Sequence, residues 1–244
     1  MGTSSPKCSE RLAWVRDGGL FREPRLAQAG IPHGFTSRPL GDMKHAAARR
    51  QAAGGDVLVL RQRHTTVVHA ATAAWGATGR GTVPTGDGLV SAVPGLRIGV
   101  FVTDCQPLYL WDAKGLRAVG VFHAGWRGTA DGMGLRAAEA LSRLGVEPED
   151  MAAAVGPHIG PCCYRVGAEL APRFRPGSLE RRDGELFLEL AAELKAQLVE
   201  AGVPADAVGV SADCTACGAD DFYSYRRAKD SQSMLAFISV PWPA

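Results

Sequence analysis

The sequence lacks a strong charge bias. Its 244 residues include 27 lysines and arginines and 25 aspartates and glutamates, for a formal net charge of +2. Proteins that bind nucleic acid or anionic membranes through a basic surface carry a larger positive excess. The composition therefore argues against nucleic-acid and membrane partners.

Long apolar runs are also missing. No apolar run reaches the roughly 20 residues that span a bilayer, and the first residues, MGTSSPKCSERLAW, lack the apolar core of an export signal. We therefore expect a cytoplasmic protein. In that reducing compartment cysteines act as thiols, metal ligands or nucleophiles rather than as disulfides.

Four of the six cysteines form the pairs Cys162-Cys163 and Cys214-x-x-Cys217. Both pairs resemble metal or redox motifs. However, one CxxC needs a second pair, and adjacent cysteines have poor geometry for a tetrahedral ion. We therefore expect these four cysteines to be mainly small buried residues.

Strand patterns outnumber helical ones. Short turns join several of the strands, so the pattern favours an α/β (α+β) single-domain layered sandwich of mixed β-sheets flanked by helices over a doubly wound parallel fold. Residues 1–10 are polar and predicted to be frayed, and residues 11–244 form one predicted domain. A helix is predicted from about Phe187 to Glu200, and another carries Leu135, Ala138, Leu141 and Leu144 on one face.

Three potential ligands lie at or just past the ends of predicted strands: His64, Cys105 and His123. Two imidazoles and one thiolate suit a borderline-soft ion. Three protein ligands with an open fourth position are typical of catalytic zinc. Two other interpretations remain open from the residues alone: a buried cysteine beside two hydrogen-bonded histidines, or a metal-free Cys–His nucleophilic pair.

Other candidates surround this trio. The glycine-rich loop GWRGTADGMG follows His123 and could direct N–H groups and Arg127 at an anion, and Arg38 is a second candidate anion contact. His158 lies in a glycine- and proline-rich loop and could line a pocket.

Four blocks make the sequence recognisable: TDCQPLYLWD, HAGWRGT, GPHIGPCCYRVG and CTACGADDFYSYRR. They resemble the signature blocks of the YfiH/YlmD-type family, also called the laccase-domain, polyphenol oxidase or purine nucleoside phosphorylase family. The resemblance implies a zinc ion held by His64, Cys105 and His123. It also implies phosphorolysis of adenosine, inosine and methylthioadenosine, and deamination of adenosine. Residues 11–244 are then a single YfiH-like catalytic domain.

The resemblance assigns further expected roles. Deamination needs a carboxylate for proton transfer, and Asp87 and Asp104 are the nearest by motif. A purine nucleoside and inorganic phosphate are the expected partners, with Arg38 and Arg127 binding phosphate and Gln62 and His158 contacting substrate. The oligomeric state is left open.

Three alternative functions stay in view. The family name suggests a copper-binding polyphenol oxidase. Multicopper laccases need many histidines, commonly in His-x-His pairs, whereas this chain has six and no two stand two positions apart. That count excludes multicopper chemistry but leaves Cu²⁺ binding at the His/Cys site possible in vitro. A Cys–His hydrolase and a non-enzymatic partner-binding module are the other two.

Overall fold

The computed structural model describes residues 11–72, 74–75 and 84–242. The segment 1–10, predicted to be frayed, lies outside the described residues. None of the described helices has the length and apolar composition needed to cross a membrane.

The described residues form three β-sheets. The seven-stranded sheet has the order β1-β15-β11-β9-β10-β7-β6, the six-stranded sheet β2-β3-β4-β16-β8-β5 and the three-stranded sheet β12-β14-β13. The strands are β1 (Arg11–Leu12), β2 (Val15–Asp17), β3 (Leu20–Arg22), β4 (His33–Thr36), β5 (Leu58–Val59), β6 (Val68–Ala70), β7 (Gly88–Ser91), β8 (Ile98–Val102), β9 (Gln106–Asp112), β10 (Val119–Ala124), β11 (Met151–Val155), β12 (Arg165–Val166), β13 (Leu179–Arg182), β14 (Glu185–Leu188), β15 (Val208–Ser211) and β16 (Met234–Ile238).

Helices flank or connect the strands in the described residues, and some of them cover the outer faces of the two larger sheets. They are α1 (Pro24–Gln28), α2 (Ala46–Ala53), α3 (Trp126–Ala130), α4 (Met133–Ser142), α5 (Leu190–Glu200) and α6 (Tyr225–Ala228). Short 3₁₀ turns cover Arg38–Leu40, Pro148–Asp150, Ala168–Arg173, Pro176–Ser178 and Ala205–Ala207.

Strand β9 shows why the molecule is layered. Its side chains alternate between two cores because successive residues of a strand point to opposite faces. Tyr109 and Trp111 join the core between the two large sheets, whereas Leu108 and Leu110 join the core beneath α4 and α5. A third core lies between α2 and the outer face of the six-stranded sheet. The predicted layered α/β sandwich of mixed sheets is confirmed.

The two predicted helices differ from the structure in detail. Phe187 and Leu188 belong to β14, which pairs with β12 and β13, and α5 starts only at Leu190. Gly132, at φ +87°, separates α3 from α4, and α4 buries Met133, Ala137 and Leu141 but leaves Leu135 exposed. Strand pairing in the first case, and a left-handed glycine in the second, override the helical spacing.

Candidate metal centre

The three predicted ligands meet at one end of the seven-stranded sheet. Cys105 directly precedes β9, and His123 is the penultimate residue of the neighbouring strand β10, paired with Pro107. His64 lies in the segment between β5 and β6 and has a left-handed backbone, with φ of 60°. One ligand atom from each side chain lies within 4.8 Å of the others, so topology brings together residues far apart in sequence.

The buried carboxylate of Asp87 organises two of these ligands. It accepts a 2.8 Å hydrogen bond from His123 Nδ1 and a 3.0 Å hydrogen bond from the His64 N–H. It also accepts from the N–H of Arg63 and from the N–H and hydroxyl of Thr65. Burial would raise the pKa of Asp87, but these hydrogen bonds outweigh it and hold the pKa well below its usual range. An ionised Asp87 thus fixes the turn that carries His64 and leaves His123 Nε2 as the ring's ligand atom.

Gln62 anchors the same segment from the other side. Its amide oxygen accepts the Phe101 N–H at 2.7 Å, and its amide nitrogen donates to the Phe101 carbonyl at 2.8 Å. Phe101 lies in β8, so this reciprocal pair attaches the His64 segment to the six-stranded sheet. Both hydrogen-bonding groups of the Gln62 amide are used in this attachment.

Cys105 and His123 shift each other's pKa in opposite directions. Burial opposes ionisation of Cys105, but the charge of His123 and hydrogen bonds from His123 and His64 lower the pKa of the thiol to about 6. Burial disfavours the imidazolium too, but the thiolate of Cys105 and the carboxylate of Asp87 raise the pKa of His123 to about 9. The arrangement therefore favours a thiolate, the form of cysteine that binds metals.

Gly125 allows the close approach of these side chains. A Cβ at this position would lie 2.9 Å from His64 Cδ2 and 3.0 Å from Cys105 Sγ. A larger residue here would therefore displace both ligands.

The chemistry of the donors fits a borderline-soft metal. The trio supplies two imidazoles and one stabilised thiolate, and a buried carboxylate orients one imidazole. This is the combination of ligands and supporting groups expected for a catalytic zinc site. His64, Cys105 and His123 could hold such an ion.

A cavity of about 660 Å³ opens over the trio. It is large enough for a drug-sized ligand. Its wall combines aromatic rings, cations and carboxylates with the candidate ligands, and its residues are Lys44, Gln62, His64, Phe101, Val102, Thr103, Asp104, Cys105, His123, Ile159, Tyr164, Tyr225, Arg226, Asp230, Ser231 and Ser233.

Asp104 lies in this wall directly beside Cys105. One carboxylate oxygen accepts the Thr215 hydroxyl at 2.7 Å, and the other accepts the Arg226 N–H at 2.8 Å. Asp104 is therefore a carboxylate with direct access to the cavity, whereas Asp87 is enclosed beneath the ligands.

The two predicted anion contacts, Arg127 and Arg38, differ in their position relative to the cavity. Arg127 is exposed and packs over the Trp126 ring at 4.4 Å. Burial and the Cys105 thiolate raise the pKa of Tyr164 to about 12, and the charges of Arg226 and Arg127 oppose that rise. Arg127 thus acts on a residue of the cavity wall. Arg38 instead donates to Ala219 and packs over Tyr223, and it is not among the lining residues in the described part of the chain.

His158 is buried and does not line the cavity formed by the described residues. Its Nδ1 contacts the Gly156 carbonyl at 2.8 Å, and its backbone forms a bridge with Cys214. Through these contacts His158 packs between its own loop and the loop that contains Cys214. Its substrate-contacting role stays a prediction, as does that of Arg38.

The cavity wall also contains residues that were not predicted as site residues, including Lys44, Tyr164 and Arg226. These three come from segments before α2, after the Cys162-Cys163 pair and in α6. Tyr164 and Arg226 lie within sequence blocks that resemble the family, and this position could have indicated a role in the site. Lys44 carried no such signal, because a lysine before a helix is ordinarily a solvated side chain.

Residues 41–241 match the family described as multi-copper polyphenol oxidoreductase laccase. The chain belongs to this family. A purine nucleoside phosphorylase from Deinococcus radiodurans is 37% identical over 252 positions, covering 91% of this chain and 93% of that protein. An adenosine deaminase named RL5, from an unknown prokaryotic organism, is 36% identical over 149 positions, covering 58% of this chain and 56% of that protein.

The fold is shared with a solved relative. The crystal structure of YlmD from Geobacillus stearothermophilus superposes with a TM-score of 0.82 at 29% sequence identity, covering 94% of this chain and 99% of that one. The predicted membership of the YfiH/YlmD-type family is confirmed by sequence and by structure.

Proposed function

We propose that this chain is a zinc-dependent purine nucleoside phosphorylase that also deaminates adenosine. Relatives with these two names support the proposal, together with the cavity above His64, Cys105 and His123. The substrates are inosine, adenosine and methylthioadenosine, with inorganic phosphate as the second reactant. A cytoplasmic location, where thiols stay reduced, belongs to the same proposal.

The single observation that carries this proposal is the position of the ligand trio at the inner wall of a cavity of suitable size. Bound by His64, Cys105 and His123, zinc supplies a Lewis acid with an open coordination position. Asp87 positions two of the ligands and does not reach the cavity, so we assign it a positioning role. Asp104 faces the cavity and is our candidate for moving a proton to or from the substrate.

The rest of the wall suits a nucleoside and phosphate. Tyr164, Tyr225 and Phe101 present aromatic rings, on which a purine can stack. Arg226 and Lys44 place positive charge in the wall, and Arg127 adds charge near Tyr164. Guanidinium and ammonium groups bind phosphate through charge-assisted hydrogen bonds. Phosphate held there could attack the anomeric carbon while the base leaves.

The test is an assay of wild type, Cys105→Ala and His64→Ala, combined with metal analysis of protein purified without added metal. We expect wild type to contain zinc and to convert inosine plus phosphate into hypoxanthine and ribose 1-phosphate. Both variants should lose turnover and the zinc ion of the cavity site. His45→Ala, which removes an exposed imidazole before α2, is the matched control and should retain both.

Adenosine separates the two reactions. With phosphate it should yield adenine by phosphorolysis, and without phosphate it should yield inosine by deamination. Equal turnover by wild type and Cys105→Ala would refute the proposal.

The thiolate–imidazolium pair favours a second candidate, a Cys–His hydrolase. Such an enzyme retains activity when metal is chelated and loses it when Cys105 is alkylated. The phosphorylase should instead lose activity on chelation and regain it when Zn²⁺ is returned.

A further inference from the structure

Four cysteines outside the cavity form a second compact group. Cys162, Cys163, Cys214 and Cys217 each place a sulfur atom within 4.8 Å of the other three. The first two belong to the loop after β11, and the last two follow β15. The sequence spacing alone suggested small buried residues, but the fold brings the two pairs together, and Cys162 and Cys217 are exposed.

The sulfur distances match a tetrahedral ion better than a disulfide. Cys217 Sγ lies 3.7 Å from Cys162 Sγ and 3.4 Å from Cys163 Sγ. Ligands at the zinc–sulfur distance of about 2.3 Å in a tetrahedron lie roughly 3.8 Å apart. A bonded pair lies at about 2.05 Å, and a disulfide from Cys217 would use only one of its two neighbours. One central ion would satisfy all four sulfurs.

The backbone around the group supports close packing of sulfur. The Gly160 N–H donates to Cys214 Sγ at 3.3 Å, which is the kind of second contact that orients a metal-bound thiolate. A Cβ at Gly160 would lie 3.4 Å from both Cys162 Sγ and Cys214 Cβ. Tight turns at Gly160–Tyr164 and Cys214–Gly218 bring each cysteine pair inward.

We propose that Cys162, Cys163, Cys214 and Cys217 bind a structural zinc ion as a closed tetrathiolate site. A set of four thiolates is typical of structural zinc, whereas the cavity trio leaves a position open. The ion joins two loops whose outermost cysteines are 55 residues apart in sequence. This site is separate from the one proposed to act on nucleosides.

The joined loops build one wall of the cavity. Thr215 lies between Cys214 and Cys217 and donates its hydroxyl to Asp104. The Arg226 guanidinium donates to the carbonyl of Arg165 at 2.7 Å, just after the vicinal pair. Tyr164 follows Cys163 directly. The tetrathiolate ion therefore stabilises the positions of Asp104, Tyr164 and Arg226.

The first test counts zinc per chain by native mass spectrometry and elemental analysis of reduced protein purified without added metal. We expect two ions in wild type and one each in Cys217→Ser and Cys105→Ser. Replacement of zinc by Co²⁺ in Cys105→Ser should give the intense d–d and thiolate charge-transfer bands of a tetrahedral tetrathiolate. Retention of every wild-type ion by Cys217→Ser would overturn the proposal.

The two sites fail separately in this design. Wild type could contain a single ion that is lost in Cys217→Ser and kept in Cys105→Ser. That outcome would support the tetrathiolate site and refute the proposed catalytic zinc. A single ion that is lost in Cys105→Ser and kept in Cys217→Ser would refute the tetrathiolate site alone.

A second measurement uses only wild type, so it does not depend on how a variant folds. Iodoacetamide should modify the exposed Cys217 slowly in the native protein and rapidly after chelation, as read by peptide mapping. Equal rates with and without chelator, or a disulfide among the four in freshly purified protein, would overturn the proposal. Without a bound ion, the exposed Cys217 would react at the same rate with and without chelator.

Discussion

Gly125 lies at the point where the chain passes closest to two proposed metal ligands. In Gly125→Ala, the new methyl group would displace the His64 ring and the Cys105 sulfur from their present positions. We expect zinc affinity at the cavity site to fall about 10- to 100-fold, the range for loss of ligand-orienting contacts. Competition titration against a chromophoric chelator measures this.

The matched control for Gly125→Ala is Gly177→Ala. An added Cβ at Gly177 meets nothing within 4 Å, so affinity should match wild type. If Gly125→Ala also binds zinc like wild type, the close approach at Gly125 does not set the geometry of the site.

Asp87 fixes the His64 turn and orients two of the proposed metal ligands. Asp87→Asn replaces one acceptor oxygen by an amide that faces the N–H donors of the His64 turn and of His123. We expect zinc affinity to fall about 10- to 100-fold and the free energy of unfolding to fall by about 1–3 kcal/mol. Titration with zinc and denaturant unfolding measure the two effects.

Asp112→Asn is the control for Asp87→Asn, because Asp112 is also buried and also accepts several N–H groups. It lies at the opposite end of β9 from Cys105. This variant should lose stability but keep its zinc affinity. Equal losses of affinity in the two variants would show a general effect of destabilisation.

At the level of the element, Asp112 fixes the turn between β9 and β10. Its carboxylate accepts the N–H groups of Lys114, Gly115 and Arg117 and the Arg117 guanidinium. Burial would raise the pKa of Asp112, but these donors outweigh it and lower the pKa. Its contribution to stability is therefore present above the unfolded pKa of about 3.9 and is lost as the pH falls through the lower native pKa.

The pH dependence of Asp112→Asn follows from this sign. At neutral pH the free energy of unfolding of Asp112→Asn should be about 1–3 kcal/mol lower than that of wild type. This difference should shrink as the pH falls below about 4. Urea unfolding at several pH values measures the gap. Asp56→Asn, at an exposed ion pair, should differ little from wild type at any pH. A gap for Asp112→Asn that stays constant into the acid range would contradict the assignment.

The sequence predicts strands better than it predicts helices here. β9 and β10 are mainly apolar and form strands that are buried throughout, as expected for strands covered on both faces. The Gly18-Gly19 hairpin was also predictable from its turn. A second hairpin was missed, although Asp183-Gly184, both at positive φ, is an equally strong two-residue turn signal. The apolar residues from Phe187 onward have helical spacing, so the sequence predicted a helix there. In the structure Phe187 belongs to β14, which pairs with β12 and β13.

The convergence of Cys105 and His123 was predictable because both lie at the ends of neighbouring strands. His64 lies in the segment between β5 and β6, where a hydrogen bond to Asp87 holds it beside them. The cavity wall was not predictable, because Lys44 precedes α2 and Arg226 lies in the short helix α6, and the positions of both segments depend on contacts distant in sequence. The same limit applies to the cysteines: no spacing rule joins Cys163 to Cys217, and only the folded chain places them side by side.

At the scale of the whole molecule, two proposed ions bind the folded chain. A ligand that binds only the native state stabilises it by about 2.7 kcal/mol at a free concentration 100 times its Kd. We therefore expect a strong chelator to lower the thermal unfolding midpoint of wild type and added Zn²⁺ to restore it. Differential scanning calorimetry measures the midpoint.

The control for chelation is the double variant Cys105→Ser/Cys217→Ser, whose midpoint should be the same with and without chelator. A wild-type midpoint that is insensitive to chelation would show that neither proposed site contributes to stability.

The Asp87 hydrogen bonds have a consequence for how an ion enters. Three successive N–H groups, from Arg63 to Thr65, are fixed by one carboxylate, which also fixes the His123 ring. The conformational entropy of this segment is therefore lost when the chain folds, before any ion arrives. Binding of zinc should require loss of the ion's hydration water but little further ordering of the protein. Association should therefore be fast, and the dissociation rate should control exchange of the ion.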